Sequence, residues 1–264
     1  MNKTKLKTSL FIVSSFLIPA IMMFFIYLSQ GIYWNSDTSP LLGDGYHQYV
    51  IFDTTLRNIL HGTDSLFYSF QSGLGINFYA LSSYYLGSFF SPLVYFFNAQ
   101  SMPDAVYLIT LLKFGAIGLS TYISLHGMFS KIPRSLVLTL STSFALMSFA
   151  ISQIEIKTWL DVFILAPLIL YGFKKLIYNE GEILYFISLT SLFIQNYYFG
   201  FMMSIFLILW YLTQLSWDIK GIGKRFFHFV IVSLLSVITS LVMLYPTFLD
   251  LRTHGESFSK VDSI

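Results

Sequence analysis

Long apolar runs joined by short polar links dominate the chain. The runs near residues 9–29, 104–127, 135–153, 158–173, 182–198, 200–215 and 226–247 each approach the roughly 20 residues that an α-helix needs to cross a hydrocarbon core, at about 1.5 Å per residue. The pattern predicts an all-α fold: a polytopic integral membrane bundle of about seven transmembrane helices in a single transmembrane domain over residues 1–264. The first run, Leu10 to Leu28, follows Lys3, Lys5 and Lys7 as a secretory signal would. It is longer than the roughly 7–15 residues of a signal's apolar region and ends in Tyr27-Leu28-Ser29-Gln30 rather than at a small-residue cleavage site. It reads as an uncleaved first span.

Lysine and arginine between the runs orient the bundle, because short cytoplasmic loops carry the positive excess. The N-terminal lysines, Lys131 with Arg134, Lys174 with Lys175, and Lys220 with Lys224 and Arg225 all mark cytoplasmic ends. Seven spans satisfy them, with the N-terminus cytoplasmic and the C-terminal tail outside. The apolar segment 79–97, which contains Tyr84-Tyr85, Gly87 and Pro92, would invert every later cluster if it crossed completely. It is expected to be a re-entrant or interfacial helix.

A large outer loop, residues 30–78, then separates the first span from that segment. It carries Asp37, Asp44, His47, Gln48, Asp53, Arg57, His61 and Asp64 among tyrosines and phenylalanines. Loops of such length are usually functional or disordered. Within it Tyr46, Tyr49, Val50, Ile51, Phe52, Leu56, Ile59 and Leu60 form an amphipathic stretch suited to a helix lying along the membrane surface. Gly62 is expected to end that helix, with His61 near its C-cap.

Composition agrees: 55% of residues are hydrophobic and 11% charged, and the mean hydropathy is +0.69. The net charge of +2 is scattered, so there is no basic face for nucleic acid. The absence of cysteine excludes disulfides, thiolate metal sites and thiol catalysis.

The outer side gathers the candidate chemistry. Beside the loop lie Glu155-Ile156-Lys157-Thr158-Trp159-Leu160-Asp161 and Gln195-Asn196-Tyr197-Tyr198. Lys113 falls about nine residues, roughly 13 Å, inside the 104–127 run, and an ionisable residue at that depth is a functional-site hypothesis. Acids, a cation inside the bilayer and aromatic rings on one face suit a reaction on a lipid-borne anionic substrate.

These residues resemble the YfhO-type bacterial membrane proteins, which belong with the membrane glycosyltransferases of the GT-C fold. The matching pieces are Gly43-Asp44-Gly45-Tyr46-His47-Gln48-Tyr49, Tyr68-Ser69-Phe70-Gln71-Ser72-Gly73-Leu74-Gly75, Tyr85-Leu86-Gly87-Ser88-Phe89-Phe90-Ser91-Pro92-Leu93, Trp159-Leu160-Asp161 with Pro167-Leu168-Ile169, and Asn196-Tyr197-Tyr198-Phe199-Gly200. The persuasive feature is their order and spacing. The resemblance implies a longer protein of which this is the N-terminal part, located in the cell membrane with its active face extracellular. It implies inverting transfer of a sugar from a polyprenyl-phosphate donor to an envelope polymer such as lipoteichoic or teichoic acid.

Such a reaction needs a carboxylate to take the acceptor's proton and cations to stabilise the departing phosphate. The resemblance places Asp44 in the catalytic role. Asp161 is a second catalytic candidate, orienting the acceptor or joining Asp44 in holding a divalent cation through oxygen ligands. Two carboxylates on different elements do not by themselves make a metal site. Arg57, His47 and Lys113 are candidates for the phosphate, and Gln48, Lys157, Asn196 and Tyr197 complete the substrate-binding set.

Each has a plainer alternative. Gly-Asp-Gly is a common turn, Asp161 near a helix start suits the helix dipole, and Lys113 could snorkel or pair within the bundle. Arg57 and His47 could be solvated loop residues, and the loop aromatics could be interfacial anchors. Gly73-Leu74-Gly75 is not a phosphate loop, since no Lys-Ser/Thr follows it. At the level of function the alternatives are a lipid or solute transporter or flippase, against which the lack of an internal repeat counts, and a non-catalytic scaffold.

Overall fold

The computed structural model describes residues 3–71, 75–215 and 222–261. Residues 72–74 of the Tyr68–Gly75 motif, Lys220 and the tail 262–264 lie outside the described residues. Among the described residues the regular structure is helical, apart from an isolated antiparallel bridge between Ser69 and Ile76.

The apolar runs become α1 (Lys3–Ser29), α4 (Met102–Met128), α5 (Arg134–Ala145) with the short α6 (Ser148–Ser152), α7 (Lys157–Ile177), α8 (Ile183–Gln195), α9 (Tyr197–Leu215) and α10 (Ile222–Val261). The loop contributes α2 (Val50–Leu60), and α3 (Phe78–Tyr85) follows it. Among the described residues five stretches are both long and apolar enough to cross a membrane: Thr8–Ser29, Met102–Met128, Arg134–Ser152, Tyr197–Gln214 and Arg225–Arg252. The other two expected spans differ for separate reasons. α7 has 21 residues but carries Lys157 and Asp161 in its first turns and Lys174 and Lys175 in its last. α8 has 13 residues, about 20 Å of helix.

Segment 79–97 does not form a spanning helix. α3 is 8 residues long, about 12 Å, and after a break Ser91–Phe96 forms a 3-10 turn with Pro92 in its first positions. This is the non-spanning form that the charge pattern requires.

α4 is the central helix. Its most apolar stretch is 61% buried, against 17–22% for the other four, and α1, α5 and α7 pack around it. The α1–α4 contact is close because of Gly118: a Cβ there would lie 2.3 Å from the Ser15 carbonyl oxygen and 2.6 Å from Pro19. Small residues allow such backbone approach where lipid supplies no hydrophobic drive between helices. Beyond α7, α8 packs on both α7 and α10.

The amphipathic stretch folds as expected into one helical run, a π-turn over Gly45–Tyr49 leading directly into α2. Its end is a Schellman motif: the Gly62 N–H donates to Ile59 O (2.9 Å) and the Thr63 N–H to Asn58 O (3.0 Å). Gly62 takes φ +75°, a conformation that disfavours other residues. His61 is the C-cap, its ring stacked on Tyr95 at 4.4 Å.

Candidate functional site

Two structures meet at the end of the bundle that carries the loop: a buried set of charges and an open, tyrosine-lined cleft. The buried set begins with periodicity. Along the loop helix Tyr49, Phe52, Asp53 and Leu56 follow the i, i+3, i+4, i+7 pattern of one face, so Asp53 is carried inward with the apolar residues and is fully buried. It meets the Lys157 ammonium, which donates to both of its carboxylate oxygens. Lys157 also lies over the Tyr49 ring at 5.6 Å, and the Tyr49 hydroxyl shares a hydrogen bond of 2.9 Å with the Thr158 hydroxyl.

One turn further along α7, Asp161 takes a different partner. Its Oδ2 lies 2.7 Å from Lys113 Nζ, while its Oδ1 accepts from the Ser88 hydroxyl at 2.8 Å. Lys113 donates a second bond to the Lys157 carbonyl oxygen (2.9 Å). Four ionisable side chains from α2, α4 and α7 are thus buried together, two acids and two bases. Removing charges from water costs several kcal/mol per ion, and only close pairing with further hydrogen bonds offsets it; Lys113–Asp161 has both, through Ser88 and the Lys157 carbonyl, while Lys157 is paired to both Asp53 oxygens.

This geometry decides what these residues present to a ligand. Lys113, Lys157 and Asp161 come together, as their common expected face implies, but they are committed to one another and to Asp53 and Ser88. Asp161 has both oxygens engaged, so Asp44 and Asp161 do not form an open pair of cation ligands. Among the described residues no group of three His, Asp or Glu side chains is placed to hold a metal. Arg57 is likewise engaged, Nε donating to Phe97 O (2.9 Å) and a terminal nitrogen to Asn58 Oδ1 (3.0 Å), which ties α2 to the turn after α3.

Asp44 is exposed. The turn beneath it is built by its glycines: Gly43 takes φ +45°, and a Cβ on it would lie 2.4 Å from Glu155 Oε2. The Asp44 side chain makes no capping bond to the backbone; it accepts from Gln48 Nε2 at 3.3 Å. His47, also exposed, sets its ring against Tyr46 at 5.3 Å. Asp44, His47 and Gln48 therefore sit on a single exposed turn, directly before the buried face that Asp53 anchors.

The cleft lies between α3, the start of α9 and α10. It has a volume of about 360 Å³, and Tyr84, Tyr85, Tyr197, Thr247 and Asp250 are among its walls. Thr247 donates to the Ser83 hydroxyl (2.7 Å) and Tyr79 to Val242 O (2.9 Å), which seats α3 on α10. The Tyr84 and Tyr197 rings stand 6.0 Å apart. Burial raises the Tyr85 phenol above its ordinary pKa, and the neighbouring Tyr84 and the negative charge of Asp44 add to the effect. Tyr85 accordingly stays a neutral O–H donor at any physiological pH. Asn196 is fully buried and caps α9, its Oδ1 accepting from the Phe199 N–H at 3.1 Å. Its Nδ2 has no partner among the described residues.

Asp53, Ser88 and Asp250 were not among the expected site residues. Asp53 was legible as an acid on an apolar stripe. Asp250 falls just beyond the last apolar run, and only the packing of α3 on α10 brings it to the tyrosines.

These features define a polytopic α-helical membrane protein with its polar chemistry gathered at one end of the bundle. The family described as "Bacterial membrane protein YfhO" matches residues 14–264, and the chain belongs to it. No curated protein and no solved structure gives a significant match.

Proposed function

We propose that this chain serves a membrane glycosyltransferase that moves a sugar from a polyprenyl-phosphate donor to an envelope polymer such as teichoic acid, at the outer face of the cell membrane. The observation that carries the reading is the cleft: three tyrosines and a carboxylate line it, and the turn that carries Asp44 runs into Tyr49, whose ring meets Tyr85 at 5.3 Å. Sugars pack against aromatic faces and take hydrogen bonds from phenols, and the setting in a YfhO-family membrane bundle suits a lipid-borne donor. The outer placement rests on the lysine and arginine distribution.

In this reading Asp44 is the base. As the acceptor oxygen bonds to the anomeric carbon, the bond from that carbon to the phosphate oxygen breaks, its electron pair leaves with the carrier phosphate, and the acceptor's proton passes to Asp44. His47 faces the phosphate charge, and Gln48 orients Asp44. Lys113, Lys157 and Asp161 act as positioning residues: with Asp53 they hold the helix whose preceding turn carries Asp44. Tyr197 and Tyr85 contact the sugar.

The test is envelope-polymer glycosylation, read by mass spectrometry in cells lacking the full-length protein and rescued with wild type or Asp44→Asn at equal membrane abundance. Wild type is expected to restore the sugar and Asp44→Asn to leave it at least a hundredfold lower, in line with loss of a general base. Restoration by both removes Asp44 as the base. A polymer unchanged in the knockout turns the assignment to transport or scaffolding.

A further inference from the structure

The end of the bundle that carries the paired basic residues holds a second cavity, of about 330 Å³. It lies at the ends of α4, α7 and α9, where α4 and α9 flank α7 without packing closely on each other. Its walls are predominantly apolar, Leu170, Phe173 and Trp210 among them, with Lys174 as its charged lining residue. The size falls within the range of small-molecule sites.

The cations beside it are unusual in how they are held. Lys174 donates to the Met128 carbonyl oxygen and lies over the Phe129 ring at 5.5 Å. Arg225 donates to the carbonyl oxygen of Ile177, itself a lining residue. Among the described residues neither cation is paired with a carboxylate. The nearby Glu182 faces His228 instead, at 3.9 Å. An ammonium has three donors, so the bond to Met128 leaves Lys174 able to bind an anion. The contrast with Lys113 and Lys157, each neutralised by its own aspartate, is direct.

We propose that this cleft is a binding site for an anionic phospholipid, one acyl chain lying in the cavity and the phosphate held by Lys174 and Arg225. An apolar groove that opens between helices suits a chain, and two cations without a carboxylate partner among the described residues select the headgroup. Because a chain inside a bilayer gains little by leaving its neighbours, the preference comes from the headgroup's net negative charge, which a choline ammonium beside the same phosphate cancels. The proposal does not depend on the glycosyltransferase reading.

Native mass spectrometry of the full-length protein in detergent, titrated with phosphatidylglycerol or with phosphatidylcholine of identical chains, tests it. Wild type is expected to retain phosphatidylglycerol at several-fold higher occupancy. Lys174→Gln, which keeps an N–H for Met128, should bring the two lipids level. Lys131→Gln removes the same charge from the same end on an exposed residue outside the cavity and should leave the preference intact. Leu170→Trp, filling the cavity, should lower the retention of phosphatidylglycerol in a protein whose helicity by circular dichroism is unchanged. Equal retention of both lipids by wild type overturns the proposal, as does an equal effect of Lys131→Gln and Lys174→Gln. Displacement of the lipid by millimolar inorganic phosphate would reassign the site to a free anion.

Discussion

The junction of α2, α4 and α7 and the cluster formed by α7, α8, α9 and α10 are both well buried, yet they are held by opposite means. At the junction the contacts are ionic and directional: Lys113 with Asp161 and Lys157 with Asp53, trimmed by Ser88 and a backbone carbonyl. In the cluster they are aromatic. Phe173 meets Tyr185, Trp210, Tyr211 and Phe229 with ring centroids 5.1–6.5 Å apart, and Tyr211 stacks on Phe229 within 8° of parallel. Ring packing tolerates small changes of shape, whereas a buried charge without its partner has no inexpensive alternative. The comparison teaches where this fold is fixed in one arrangement: at the junction that carries the exposed Asp44 turn.

The largest expected effect breaks the ionic side. Lys113→Met leaves the Asp161 carboxylate buried with only Ser88, and should destabilise the protein by about 3–5 kcal/mol, measured as unfolding in detergent micelles. Adding Asp161→Leu should recover most of that loss, since an apolar pair of similar volume is often neutral or better. If the single and double variants unfold alike, the charge pairing is not what holds the junction.

A smaller effect is expected where backbone approach matters. Gly118→Ala places a methyl against the Ser15 carbonyl and Pro19 and should cost about 1–3 kcal/mol as α1 is pushed away from α4. An unchanged unfolding midpoint would show that α1 is not seated there.

The smallest sharpens the comparison itself. Phe173→Leu should cost less than about 1.5 kcal/mol, because the surrounding rings can close on it, while the nominally conservative Lys113→Arg should cost more, a guanidinium having no space in a fully buried site and a different donor geometry. Equal losses from the two substitutions would erase the distinction between the regions.

Much of the framework was legible without coordinates. The apolar runs gave most helix ends to within a few residues, though α1 begins at Lys3 and α10 continues to Val261, well past the expected 247; the constraint that every basic cluster share one side excluded a span at 79–97, where the structure has only α3 and a short 3-10 turn. The end of the loop helix was equally readable, because Gly62 and His61 fulfil a local backbone requirement. The number of spans was less secure: α7 and α8 differ from the clear cases only in charge and length, properties that hydropathy blurs.

Side-chain partners were the least legible. Lys157 and Asp161 stand four residues apart on α7, a spacing that by itself favours an intrahelical pair. The fold sends them to Asp53 and Lys113, 104 and 48 residues away. The same holds for Tyr84, Tyr197 and Asp250, brought to one cleft by helices far apart in the chain.

The sequence by itself determined the class of protein, the helical elements and the common side of the basic clusters, because each follows from the length and periodicity of apolar runs and from charge between neighbouring segments. Only the tertiary structure decided which buried ions neutralise one another, which carboxylate stays exposed and where the tyrosines converge. Those outcomes depend on contacts between distant segments, for which one-dimensional spacing carries no physical signal.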